Sequence, residues 1–247
     1  MDPRYAAQYR QLYEQHWWWR AREALIQSTL EQLAPAAGFG RILDVGCGDG
    51  LLLPLLRRFG QPEGIEPDAA SVSAEGRASG TIHIAPFDQT FRPATPYGLV
   101  LLLDVLEHLD DDRAALRQAG DLLAPGGVLL ITVPAFEMLW TAHDDINHHR
   151  RRYTKRGLRG RIVQAGLEVS RLDYFFHWLF PLKLLVRLKE RIVPQPARIP
   201  QVPGRFWNRL FYDISRLEQR TWGHVCLGFG SSILAVCRPA SQPRRPA

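Results

Sequence analysis

The stretch LDVGCGDG, Leu43 to Gly50, lies between a short apolar run, Arg41 to Val45, and a segment from Leu51 to Phe59 that reads as a helix. Glycines at a strand-to-helix junction permit a tight turn and let the backbone approach a ligand closely. Two kinds of nucleoside cofactor use such a loop. A dinucleotide loop closes on a pyrophosphate with G-x-G-x-x-G or A, whereas the glycines here are Gly46, Gly48 and Gly50, with leucine at 51. Asp44 precedes the first glycine by two residues. Its carboxylate would repel a pyrophosphate and suits a ligand bearing an ammonium or sulfonium. Glu66 ends the next apolar run, where a carboxylate can accept hydrogen bonds from a ribose diol.

Outward from this loop, strands alternate with helices. Glu63 to Glu66 reads as a second strand, and Asp68 is a suitable N-cap for a helix opened by Pro67-Asp68. Thr81 to Ala85 is a third strand. Gly98 to Asp104 is a continuous apolar run, as in a strand buried on both faces of a parallel sheet. Asp110, Asp111 and Asp112 cap a helix ending near Leu123, and Pro125-Gly126-Gly127 leads into a strand from Val128 to Val133. This alternation predicts a doubly wound, mostly parallel α/β sheet. Ligands of such sheets sit at the carboxyl ends of the strands, near the switch in strand order. Around the core, residues 5–33 and 206–220 read as helical, as does 154–165. A strand from Leu167 to Asp173 precedes a basic amphipathic helix from Tyr174 to Val193. A last strand runs from Ser231 to Arg238, and residues 239–247 read as a disordered tail.

Composition bounds the alternatives. Of 247 residues, 46% are hydrophobic and 23% charged, which excludes a wholly disordered chain, a collagen and a coiled coil. No stretch reads as a membrane span or a signal peptide. The three cysteines, Cys47, Cys226 and Cys237, form no CxxC pair, which suits a reducing, cytoplasmic setting and argues against structural zinc. The net charge of +6 is a weak pointer to anionic partners, because nearly all the basic residues are arginine.

The blocks LDVGCGDG, GIEPD (Gly64 to Asp68), LLLDVLEHLDD (Leu101 to Asp111) and LLAPGGVLLITVP (Leu122 to Pro134) stand in the order and spacing of a known family. The chain resembles a class I S-adenosylmethionine-dependent methyltransferase. The likeness extends to a bacterial subfamily through His16 to Trp18, His143 to Thr154, Leu179 to Arg187 and Gly228 to Val236. It implies a Rossmann-like, doubly wound seven-stranded sheet with an antiparallel last strand and helical N-terminal and C-terminal additions. Residues 1–238 would form one domain, with a cofactor core at 41–134 and a helical insertion or cover at 174–220. The implied cofactor is S-adenosylmethionine. By the resemblance, Asp44 orients its ammonium, and the backbone of Gly46, Cys47, Gly48 and Gly50 lies along it. Glu66 takes the ribose hydroxyls with Pro67 against the adenine, Phe87 is a further cofactor-binding residue, and Asp104 and Val105 lie beside the methionine. Two positions depart from the family pattern. The acid after the third strand is Asp88, set back behind Ala85-Pro86-Phe87, and the fourth strand opens with Tyr97-Gly98 in place of Phe-Asp.

Methyl transfer needs alignment, a dry pocket and, for an oxygen nucleophile, a base. His108 is one candidate, with the alternative of a residue packed beside a helix start. His143 with Asp144 is another, as a base held by its acid, against the alternative of an exposed loop. Arg150, Arg151 and Arg152 with Tyr153 read as a clamp for an anionic acceptor or as a solvated helix entry. Trp17, Trp18 and Trp19 either cover the cofactor or dock their helix on the core. The aspartates at 110–112 read as a cap and not as a metal site, and no metal is expected. Four functions remain open at this point: a nicotinamide dehydrogenase as a distant alternative, a methyltransferase for a small-molecule or lipid-linked acceptor, a cofactor-binding module without transfer activity, and a nucleic-acid methyltransferase. The last is disfavoured, since no Asn/Asp-Pro-Pro-aromatic motif and no Pro-Cys nucleophile is present, and no nucleic-acid partner is expected. Lys183, Arg187 and Arg191 form a cationic stripe, which predicts peripheral contact with an anionic membrane at its inner face.

Overall fold

The computed structural model describes residues 3–193, 199–221 and 227–240. Cys226, Pro194, Pro196 and most of the tail lie outside them. In chain order the elements are α1 (Pro3–Gln15), α2 (Trp17–Leu33), β1 (Arg41–Val45), α3 (Leu53–Leu56), β2 (Gln61–Glu66), α4 (Ala74–Ala78), β3 (Ile82–Ile84) and β4 (Tyr97–Leu103). There follow α5 (Asp112–Asp121), β5 (Leu123–Pro134), α6 (Ala142–Ile146), α7 (Lys155–Gln164), β6 (Leu167–Phe175), α8 (Leu179–Ile192), α9 (Arg205–Thr221) and β7 (Ser232–Pro239).

The seven strands form one sheet in the order β3-β2-β1-β4-β5-β7-β6. The first five pair in parallel, and β7 runs antiparallel between β5 and β6. Strand order reverses between β1 and β4, which opens the ligand crevice at their carboxyl ends. Alternate side chains of β4 feed two cores. Val100 and Leu102 pack with Leu116, Leu158 and Ile162 on one face, while Leu99 and Leu101 pack with Ile26 and Leu30 on the other. The glycine in Tyr97-Gly98 has a local cause: a Cβ at Gly98 would stand 1.9 Å from the Phe39 carbonyl oxygen.

Several boundaries differ from those the sequence predicts. The first helix is broken at His16, whose Nδ1 accepts from the Trp18 N–H at 3.1 Å and caps α2. Only Leu53–Leu56 of the segment after the glycine loop is α-helical. Asp68 caps a single 3₁₀ turn, not a helix. Tyr174 and Phe175 complete β6, because they pair with Ile233 and Ser232 of β7, so the amphipathic helix starts at Leu179. The tryptophans dock α2: Trp17 and Trp19 are buried, and Trp17 meets Phe176, Trp178 and Phe211.

The amphipathic helix is turned the other way from the membrane-stripe prediction. Of the stripe, Lys183 and Arg187 are part-buried toward the protein and only Arg191 is exposed, while Leu185 and Ile192 are 61% and 81% exposed. Burial, and then the charge of Arg152, lower the Lys183 pKa to about 8. Among the described residues, no helix is long and apolar enough to cross a membrane.

Candidate active site

The loop after β1 bends back on β2, where the Gly46 N–H donates to the Ile65 carbonyl at 2.8 Å. Gly46, Gly48 and Gly50 all have positive φ, at 68°, 53° and 71°, a region in which a Cβ is strained. At Gly46 a Cβ would also come within 3.0 Å of Val105. The absent side chain therefore lets the loop close against the end of β4. Glu66 points into the same place. Its carboxylate accepts from the backbone N–H groups of Gly48 and Asp68, each at 3.0 Å. Each oxygen keeps acceptor capacity for a further donor.

Asp44 is buried at the end of β1. Burial, helped by the charge of Glu66 and opposed by Arg22, raises its pKa to about 7. It lines a cleft of ≈ 50 Å³ with Tyr9, Tyr13, Arg22, Gly46 and Cys47. Helix α1 closes this cleft from above, and Arg10 pairs with Asp49 of the loop. Burial raises the Cys47 thiol pKa far above its usual range, so the thiol stays protonated. Pro67 is exposed and Phe87 half-buried. Asp88 turns back onto Thr90, accepting from its N–H at 2.8 Å and its hydroxyl at 2.6 Å.

Asp104 leaves β4 with a φ of 57°, rare for a residue with a side chain. Arg22 pairs with it at 2.6 Å, and the Thr132 hydroxyl donates to it at 3.2 Å. Arg22 was not among the residues singled out from the sequence. A signal was present: Trp19, Arg22, Ile26 and Thr29 follow helical spacing and share the buried stripe of α2.

Past Asp104 lie two histidines held neutral at pH 7. Burial lowers the pKa of both His108 and His143 to about 4, with His149 adding to the effect at His108 and Lys183 at His143. The pairing expected of His143 with Asp144 is corrected by the geometry. Asp144 Oδ1 bonds His149 Nδ1 at 2.8 Å, and Arg152 donates to both carboxylate oxygens at 2.9 Å. The Thr141 N–H occupies Oδ2 as well, at 2.9 Å. His143 instead lies 3.1 Å from Asn147 Nδ2. His149, seen in the sequence only as part of a cationic run, is therefore the imidazole that Asp144 orients.

The arginine clamp is likewise corrected. Arg150 donates to the His108 carbonyl and pairs with Asp110 at 2.5 Å. Arg151 donates to the Leu109 and Asp110 carbonyls and pairs with Asp112. Arg152 is spent on Asp144 and the Ala135 carbonyl, and the Tyr153 hydroxyl donates to Asp112 at 2.7 Å. The dense charge is neutralised within the protein, and it fastens the segment after β5 to the end of β4. Asp111 caps α5 as the sequence predicts, accepting from the Ala114 N–H.

Comparison with known proteins gives the family and the fold. The model of a family described as a methyltransferase domain matches residues 18–172. A ubiquinone biosynthesis O-methyltransferase of Caulobacter sp. (strain K31) is 33% identical over 103 residues, which cover 37% of this chain and 39% of that protein. The chain thus matches about two fifths of the length of such curated relatives. The N-methyltransferase NodS from Bradyrhizobium japonicum WM9, in complex with S-adenosyl-L-homocysteine, superposes with a TM-score of 0.54 at 15% identity, covering 94% of this chain and 91% of that one. A chain in the complex of the Haloferax volcanii Trm112 methyltransferase activator gives a TM-score of 0.61 at 18% identity, covering 97% and 96%. At these identities the structures share the fold.

Proposed function

The chain belongs to the methyltransferase-domain family, and we propose that it is a class I enzyme that uses S-adenosylmethionine to methylate an oxygen of a small-molecule or lipid-linked acceptor. The observation that carries the reading is the layout of the crevice. Asp44, the glycine loop and Glu66 gather at the ends of β1 and β2, and Asp104, Val105 and His108 follow the end of the neighbouring strand β4. The residues fit the cofactor: a Cβ at Gly48 would meet nothing within 4 Å, which leaves that point of the loop open, and Asp44 is a buried acid that lacks full charge compensation. When bound, S-adenosylmethionine supplies a methyl group on a sulfonium that is its own leaving group. The chain's part is then to bind and orient. Asp44 holds the ammonium, Glu66 the ribose diol, and the backbone at Gly46 to Gly48 the span between. Asp104 and Val105 border the methionine end. His108 is neutral at pH 7, and with no ion on it an unprotonated ring nitrogen can take a proton from a hydroxyl. The match to O-methyltransferases supports oxygen as the accepting atom.

The test is transfer of a labelled methyl group from S-adenosylmethionine to fractions of a bacterial extract. Label in a base-stable ether of a small molecule or lipid is the expected result. Label in nucleic acid alone, or no transfer, would overturn it.

The state of Asp44 gives a pH prediction. Below about pH 7 the site must release a proton before it can hold an ammonium. Affinity for S-adenosylmethionine should therefore rise from pH 6 to pH 7.5, by at most about tenfold per unit. It should level off as the ligand's own α-amino group, with an ordinary value of about 7.7–8.0, loses its charge. In Asp44→Asn the acid limb should vanish. Calorimetry across this range checks it, and an unchanged acid limb in the variant would remove Asp44 from the site.

The outward side of α8 supports a lipid-borne acceptor. Leu182, Leu185, Val186 and Ile192 are exposed there, with Lys189 and Arg191 among them. Such a face can rest at headgroup level. We expect flotation with anionic liposomes that persists at moderate salt and is lost in Leu185→Glu/Ile192→Glu. Equal flotation of the double variant would leave the acceptor a soluble molecule.

A further inference from the structure

Glu107 is completely buried, yet neither of its carboxylate oxygens is hydrogen-bonded to another residue among the described residues. Removing a carboxylate from water without a partner is costly, and such a group calls for a physical explanation. Nearby charge does not supply one. Arg22 is paired with Asp104 at 2.6 Å and Arg152 with Asp144 at 2.9 Å. Of the three acids Asp104, Glu107 and Asp144, Glu107 is left uncompensated.

Two imidazoles stand beside it. A carboxylate oxygen of Glu107 and one ring nitrogen each of His108 and His149 lie within 4.8 Å of one another. The two rings meet edge to face, with centroids 4.8 Å apart. His149 is fixed from behind. Its Nδ1 bonds Asp144 Oδ1 at 2.8 Å, and an ionised carboxylate only accepts, so Nδ1 carries the proton. Nε2 then presents a lone pair. A carboxylate that holds the far nitrogen of an imidazole, leaving the near one unprotonated, is the usual support of a metal-bound histidine.

We propose that Glu107, His108 and His149 bind a divalent cation of the zinc class, with Asp144 as the positioning residue behind His149. Two nitrogens and a carboxylate oxygen suit Zn²⁺, Co²⁺ or Mn²⁺ better than Ca²⁺. An ion with bonds of about 2.0–2.2 Å draws the three atoms together by small side-chain rotations. Three protein ligands leave a coordination position open, as in catalytic sites. Glu107 and His108 follow Asp104 and Val105 in the turn after β4, which puts the ion at the end of β4, on the acceptor side of the crevice. That the open position takes the acceptor's oxygen rests on the methyltransferase reading above; cation binding does not. The sequence hides this site because Glu107 and His108 sit in one 3₁₀ turn after β4, while His149 arrives from the far side of β5.

The test uses the full chain, stripped of metal with a chelator and titrated at pH 7.5 with Zn²⁺ or Co²⁺ by calorimetry and visible absorption. S-adenosylmethionine is titrated separately into the same stripped protein. The expected result is one equivalent of cation bound, a raised melting temperature and a Co²⁺ visible band. Binding should weaken at least 100-fold in Glu107→Gln and in His149→Ala, and about 10–100-fold in Asp144→Asn. If Glu107→Gln does not fold, His108→Ala serves in its place. A folded wild type that binds no equivalent of cation overturns the proposal, as does wild-type affinity in the ligand variants. S-adenosylmethionine binding without cation binding would sink the metal site alone. Cation binding without S-adenosylmethionine binding would keep the site and remove the crevice assignment.

Discussion

Asp144→Ala should lower the stability of the folded chain by about 3–5 kcal/mol, the usual cost of leaving a buried charge without its partner. Asp144 has no exposed surface, and the side chain of Arg152 is 2% exposed. Alanine would strand the guanidinium inside the protein, free His149 and remove the acceptor that caps α6 at Thr141. Asparagine should cost less, since it can keep one acceptor toward Arg152. The effect has a pH signature. Burial alone would raise the Asp144 pKa, but the His149 hydrogen bond and the Arg152 charge outweigh it and hold the carboxyl well below the usual carboxylate range. A depressed folded-state value means that the contribution is present above the unfolded value of about 3.9 and is lost as pH falls through the folded value. Urea unfolding should therefore show the full difference between wild type and Asp144→Ala at pH 6 and a smaller one at pH 3. Equal midpoints at pH 6 would mean that the Arg152 pair is solvated.

The same acid shows where the sequence was readable and where it was not. The β1–loop–β2 unit was legible because each feature is local. An apolar run of five residues, glycines that only a turn requires and an acid ending the next strand all fall within 26 positions, Arg41 to Glu66. The partner of Asp144 was not legible. The sequence neighbour is His143, but α6 is only five residues long and turns His143 and Asp144 to different sides. The chain then doubles back through His148, at a φ of 55°, and returns His149 to the carboxylate. No periodicity reports a reversal of that kind. Charge density misled at Arg150 to Arg152 for a related reason. A cationic run looks uncompensated until the sheet brings Asp110 and Asp112 across to it. In α8 the stripe of Lys183 and Arg187 was visible, but the side facing the protein was not. An amphipathic helix is assumed to bury its apolar face, and α8 turns Lys183 and Arg187 inward instead, while Lys189 and Arg191 stay exposed.

The second large effect is expected at Glu66. Glu66→Ala should weaken S-adenosylmethionine and its demethylated product by about 1.5–3 kcal/mol, the range for hydrogen bonds to a charged group. At about 1.4 kcal/mol per factor of ten, this is a loss of roughly 10–150-fold. Two consequences add. The ribose hydroxyls would lose the acceptor proposed for them, and the glycine loop would lose the anchor that ties the Gly48 N–H to the end of β2. Glutamine separates them. Its amide oxygen can still accept from either Gly48 or Asp68, but its NH₂ group then faces the other N–H, since both backbone groups donate. Glu66→Gln should therefore recover little, in contrast to an exposed ribose contact, where an amide serves nearly as well as a carboxylate. Both variants should bind the two ligands with the same relative loss, because the ribose is common to them and the methyl group is remote from Glu66. Calorimetric titration with each ligand, beside a melting curve for each variant, gives the result. Wild-type affinity in Glu66→Ala would place the cofactor somewhere other than the crevice between β1 and β4.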